Sequence, residues 1–312
     1  MSTPNQATTV PLGTIPNAYL DLGAEQGYNP RDFNKLRMLI LGPFFEGKST
    51  FVSGAPRTLI LDCEDGAWGI PSQVNRAVRI KIKDHDHQQK IFDQLKSDAA
   101  SPDRPFDRVV FDGAEKWLNK ESLWLATQQR KLFPDWKGLL IEEWGMKGAG
   151  VNILATHVTS VLDYLWTLGY TWTVVGHLKE TTMTSGSEER TVTRAAVYPS
   201  IGSLLNTNAD VTAVIHTTTV QVPVLKQVKT SDGTVKEVNT GKLENTTRVC
   251  FDARVSEVGS GAGTGKIRGI ALMEFSVILP TFDSGQVGWE TVRDAYSAET
   301  ARIMNGSGVE SK

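Results

Sequence analysis

The stretch Gly42-Pro43-Phe44-Phe45-Glu46-Gly47-Lys48-Ser49-Thr50 constrains this chain more than any other. It fits the phosphate-loop pattern of a glycine, four free positions and then Gly-Lys-Ser/Thr, a loop that works only between a strand and a helix. Backbone N–H groups in such a loop point at phosphate oxygens, and the start of the following helix favours negative charge. All nine residues are therefore expected to bind nucleotide, with Lys48 on the β- and γ-phosphates of a nucleoside triphosphate and the Ser49 hydroxyl on Mg²⁺. Upstream, Arg37-Met38-Leu39-Ile40-Leu41 is a short apolar run of the kind a buried parallel strand shows, and it ends where the loop begins. Phe44, Phe45 and Glu46 stand where small residues are usual, and a carboxylate there repels phosphate unless it points away.

The 312 residues suffice for one large α/β domain with appendages. A net charge of −2 does not advertise a nucleic-acid binder, so any such binding must come from a local patch. No run of 18 apolar residues and no basic-then-apolar leader occurs, which argues against a membrane partner and for a cytoplasmic protein. Cys63 and Cys250 each sit in an apolar strand-like run and read as buried free thiols. The five histidines have no Cys or His partner at ligand spacing, and His85-Asp86-His87 reads as a solvated polar turn.

Residues 1–30 read as a flexible arm, 31–280 as the organised domain and 281–312 as a tail with a short helix. Within the domain, apolar runs ending in Asp62, Asp112 and Gly176-His177 alternate with helical stretches, Val151 to Leu168 being the clearest. That alternation predicts a mostly parallel sheet flanked by helices. From about 211 to 255 alternating β-runs surround Ser231-Asp232-Gly233, a hairpin signal that predicts a C-terminal antiparallel β-extension. Threonine- and glycine-rich residues 181–193 read as a mobile loop, and residues 133–150 as an irregular excursion beside the site.

Ligands of such sheets bind at the C-terminal ends of the strands, where the acidic residues fall. Asp112 is placed to hold Mg²⁺ together with Ser49, and Glu64 to orient and polarise an attacking water. Asp62 and Asp65 compete with Glu64 for that role. His177 is placed to hydrogen-bond the γ-phosphate and report its loss to the following loop.

The order of phosphate loop, strand ending Leu61-Asp62-Cys63-Glu64, strand ending Phe111-Asp112 and strand ending at His177 resembles the RecA-like P-loop ATPases. It is most similar to the phage-encoded, AAA-type nucleotide-binding proteins of recombination and single-strand annealing, over roughly residues 35–280. The resemblance implies a RecA-like core and ATP with Mg²⁺ as ligands. It implies Glu64 as the catalytic glutamate, Asp112 as the magnesium aspartate and His177 as the polar switch residue. Lys266 and Arg268 would reach a neighbouring subunit's γ-phosphate. Residues 181–194 would face single-stranded DNA, and 144–150 would stand in for a second DNA loop. Implied partners are single-stranded DNA, further copies of the chain in a ring or filament, and a single-strand binding protein. Two other readings stand beside this one, a nucleotide-binding structural or interaction protein with little turnover and a helicase-like motor.

Overall fold

The computed structural model describes residues 32–304 apart from 65–69, 71, 73, 147, 186–187, 230–234, 254–265, 268–274, 282–283 and 285. The expected arm, the Ser231-Asp232-Gly233 turn and Arg268 lie outside the described residues. A nine-stranded sheet carries the fold, in the order β11-β9-β8-β1-β5-β4-β2-β3 with β10 also on β8. Its parallel part comprises β1 (Met38–Leu41), β2 (Thr58–Asp62), β3 (Val78–Lys81), β4 (Arg108–Asp112) and β5 (Thr171–Val175), joined by the start of β8 (Val211–Lys229), where Val211 to Val214 pair with β1. β9 (Val235–Asp252), β10 (Lys266–Ile267) and β11 (Ser276–Ile278) add antiparallel pairings. This is the α/β architecture expected, a mostly parallel sheet flanked by helices with an antiparallel extension.

The central strands form because each buries both faces. Successive side chains of a strand point to opposite sides, so an unbroken apolar run serves two cores at once. Leu39, Leu41, Leu59, Leu61, Val109, Phe111 and Val174 enter one core. Met38, Ile40, Ile60, Val110 and Val175 enter the other. The first core is covered by α2 (His85–Ala99), α3 (Ala114–Leu132), α4 (Ala149–Thr167) and α5 (Pro199–Asn208). The second is covered by α1 (Lys48–Ser53), the 3₁₀ turn Phe33–Lys35 and α6 (Gly288–Met304).

That second cover corrects the expectation of a tail over 281–312. α6 is 17 residues long, and its Trp289, Val292 and Tyr296 are buried among Phe33, Phe51 and Val110. The Trp289 ring lies 5.0 Å from Phe33 and 5.2 Å from Phe51, and its Nε1–H donates to Asn34 Oδ1 at 2.9 Å. The sequence suggests only a short helix there because its apolar residues are sparse, yet a sheet with two apolar faces needs a layer on each.

Three further expectations change. Residues 181–185 and 188–193 are not loop but belong to an antiparallel strand pair, β6 (Leu178–Ser185) with β7 (Glu188–Ala195). The separate β-runs after 211 merge into one ribbon of 19 and 18 residues, interrupted by a register shift at Pro223/Leu225 where proline offers no N–H. His85 begins α2 instead of sitting in a solvated turn, because Asp84 caps the helix by accepting from the His87 N–H at 2.8 Å. Both cysteines are buried and free.

Trp289→Ala removes the largest side chain of the second core and should cost about 3–5 kcal/mol of stability. A urea unfolding midpoint indistinguishable from wild type would return 281–312 to the status of a tail.

Candidate nucleotide site

Four strand tips, those of β1, β5, β4 and β2, lie side by side at one edge of the sheet, and the loop Gly42–Gly47 leaves the first of them. The loop's position is set by β8. A Cβ on Gly42 would lie 2.1 Å from the Ile215 carbonyl oxygen, so only glycine lets the chain turn there. Phe45 (φ 63°) and Gly47 (φ 84°) both have left-handed backbones, which shape the loop into a concavity at the start of α1.

Lys48 is 6% exposed, and its ammonium donates to Gly42 O at 3.0 Å and to Pro43 O. Burial lowers its pKa, and Asp112, Glu115, Glu64 and Glu46 oppose that shift. The Ser49 hydroxyl donates to Asp112 Oδ1 at 3.1 Å, which joins the two residues expected to share Mg²⁺. Asp112 is itself buried, and burial pushes its carboxyl above the ordinary range against the pull of the Ser49 hydrogen bond. A hydroxyl and a carboxylate side by side form the hard oxygen donor set that suits Mg²⁺.

Glu64 follows the tip of β2, its backbone N–H donating to Asp62 Oδ1 at 3.1 Å. Its Oε1 lies 3.7 Å from His177 Nδ1. Gly113, at φ +96°, is what admits it, since a Cβ there would lie 2.2 Å from Glu64 Cγ. Burial raises the Glu64 pKa; His177 opposes the rise, Glu115 and Asp112 add to it, and Lys48 opposes it. His177, just past β5, is 8% exposed and stacks on Phe44 with ring centroids 3.7 Å apart.

The acid that sequence reasoning missed is Glu115. It accepts from the His177 backbone N–H at 2.8 Å and lies 3.3 Å from its Nδ1. Burial pushes Glu115 up, but the His177 hydrogen bonds outweigh it and hold the carboxyl below its ordinary range. The available signal was spacing, because Glu115 sits three residues after Asp112 in the first turn of α3. Glu46 turns away from the loop's mouth, accepting from Thr217 Oγ1 on β8 at 3.1 Å. Asp62 is buried at the tip of β2, whereas Asp65 lies outside the described residues.

Beside the loop is a cavity of about 270 Å³ lined by Gly47, Thr50, Phe51, Arg248, Val249 and Gly288 among others. It adjoins the second core, a place no local sequence pattern points to. Lys266, in contrast, is not brought to this edge within one chain. It pairs with Thr212, which is level with Leu39 on β1, below the strand tips.

The arrangement thus offers a concave loop with a buried lysine, a hydroxyl–carboxylate pair, and a raised carboxyl beside an imidazole. Among solved structures, the chain is similar to the RadB recombinase at 14% identity, over 72% of this chain and 88% of that one, with a TM-score of 0.33. It is also similar to the KaiC-like protein PH0186 from Pyrococcus horikoshii OT3 at 10% identity, over 79% and 90%, with a TM-score of 0.32. Comparison with curated proteins finds no match. The AAA domain family matches residues 34–249, a span from the turn before β1 to the last strand lining the cavity, and the chain belongs to that family.

Proposed function

We propose that the protein is an ATPase that binds single-stranded DNA as an oligomer in phage-type recombination, annealing or replication. The observation that carries the ATPase reading is the Ser49–Asp112 hydrogen bond at 3.1 Å beside Lys48, with Glu64 and His177 3.7 Å apart on the adjoining tips. A triphosphate entering the loop takes over the Lys48 donors now spent on Gly42 and Pro43. Mg²⁺, held by Ser49 and Asp112, would supply positive charge to the phosphate oxygens. Glu64 orients a water for in-line attack and accepts its proton, a role served by a carboxyl whose pKa is raised toward working pH.

His177 links this chemistry to DNA. It hydrogen-bonds the γ-phosphate from the root of the β6–β7 hairpin, which carries Lys179, Arg190 and Arg194. Loss of the γ-phosphate releases His177 and the hairpin, weakening DNA binding. The segment 144–150 is the second DNA contact. Lys266 and Arg268 act on the neighbouring subunit's γ-phosphate, a role consistent with the backbone of Lys266 pairing with Thr212, below the strand tips of its own chain. The cavity against Val249 and Arg248 takes the base and ribose. One observation favours the low-turnover alternative: the bulky Phe44 and Phe45 stand 63% and 104% exposed within the loop, at positions where small residues are usual.

Glu64→Gln should lower kcat for ATP hydrolysis by about 10²-fold or more and abolish stimulation by single-stranded DNA. Tight ATP binding without turnover in wild type, with or without DNA, would support the alternative. Because the ionised Glu64 is the active form and its pKa is raised, hydrolysis should be lost as pH falls through a value above the ordinary carboxylate range. An acid limb of the kcat/KM profile at or below that range speaks against Glu64 as the base. Val249→Trp fills the cavity, so KM for ATP should rise about tenfold or more while inorganic triphosphate binding is kept. Equal loss of both ligands would place the base elsewhere.

A further inference from the structure

Away from the nucleotide edge, His85 at the start of α2, Glu121 on α3 and His157 on α4 converge in the first core. Glu121 Oε2 lies 2.8 Å from His85 Nδ1 and 2.5 Å from His157 Nε2. The three potential ligand atoms fall within 4.8 Å of one another. Glu121 has no exposed surface, while the His85 and His157 side chains are 11% and 19% exposed. Gln88, itself buried, donates to the other carboxylate oxygen, Oε1, at 2.9 Å and so fixes the plane of the carboxylate. Trp124 stacks on His85 at 3.8 Å and on His157 at 5.4 Å, closing one side of the cluster.

We propose that His85, Glu121 and His157 form a site for a divalent transition-metal ion, Zn²⁺ by ligand type, which fastens α2, α3 and α4 together. Two imidazoles and one carboxylate are a borderline N₂O donor set that suits zinc and other late first-row metals over Mg²⁺ or Ca²⁺. A carboxylate with no exposure is costly to bury as an ion, and a dication held between it and the two imidazoles compensates its charge directly. The second carboxylate oxygen is already oriented by Gln88, the kind of outer support that metal ligands need. At metal–ligand distances of about 2.0–2.2 Å the donor atoms stand roughly 3.3 Å apart, so the two short contacts open by several tenths of an ångström. Each imidazole then presents a lone pair and carries its proton on the other nitrogen, His85 on Nε2 and His157 on Nδ1. Water completes the coordination from the side where the histidines are exposed.

The test uses the full chain stripped by chelator and titrated with ZnCl₂ alone, without nucleotide, against a chromophoric competitor. Wild type should bind zinc with micromolar or tighter affinity, and zinc at about a hundredfold excess over Kd should raise Tm by roughly 4 °C. His157→Gln and His85→Gln should each weaken this binding at least tenfold and remove the Tm rise. His177→Ala, which disrupts the histidine–carboxylate group at the nucleotide edge, should retain both. X-ray absorption at the zinc edge on wild type, which needs no variant to fold, should show two imidazoles and oxygen. No uptake by wild type, uptake unchanged in both glutamine variants, or a coordination shell without imidazole overturns the proposal.

Discussion

β1 is buried on both faces and hydrogen-bonded along both edges, to β5 on one side and β8 on the other, and the phosphate end of the molecule depends on this. A slip of one residue would move Leu39 and Leu41 out of one core and Met38 and Ile40 out of the other, so the register is strongly fixed. Fixed register delivers Gly42 to the one place where its missing Cβ matters, against the Ile215 carbonyl. The same sheet order puts β5 between β1 and β4, so His177, Asp112 and Glu64 fan out on successive tips instead of crowding onto one.

The electrostatics of that edge follow from its burial. Desolvation favours the neutral form of each group taken alone, lowering Lys48 and raising Asp112 and Glu64. Glu115 is the exception, because two contacts with His177 stabilise its charge. The edge therefore holds one carboxylate kept ionised by hydrogen bonding and another pushed toward neutrality only 3.7 Å from the same imidazole. Any anion entering the loop stabilises Lys48 as a cation, which ties ligand charge to the state of the whole cluster.

The sequence showed what local pattern can show. The apolar runs ending in Leu41, Asp62, Asp112 and Val175 gave the strands and their tips, because a strand buried on both faces is continuous in sequence. α6 was misread because its burial is dictated by a face of the sheet formed some 250 residues earlier, not by its own weak periodicity. Residues 181–185 and 188–193 were misread because threonine-rich segments serve loops and strands alike, and what decides is the pairing of one segment with the other. Glu115 carried only the signal of its spacing after Asp112, and the cavity beside Val249 emerges only when separate elements meet. So does the His85–Glu121–His157 cluster, whose members sit on three different helices and leave no ligand spacing within any one of them.

α3 connects the two polar clusters. It starts directly after Asp112 and Gly113, carries Glu115 in its first turn against His177, and carries Glu121 in the first core against His85 and His157. Six residues of helix separate the two acids, about 9 Å of rise along a rigid element. A helix held at Glu121 by groups from α2 and α4 cannot rotate or slide without breaking those contacts, so Glu115 meets His177 from a fixed direction. The imidazole that stacks on Phe44 is thereby positioned from outside the phosphate loop. Under the proposed mechanism, a His177 released on loss of a γ-phosphate would move against a Glu115 held in place by α3.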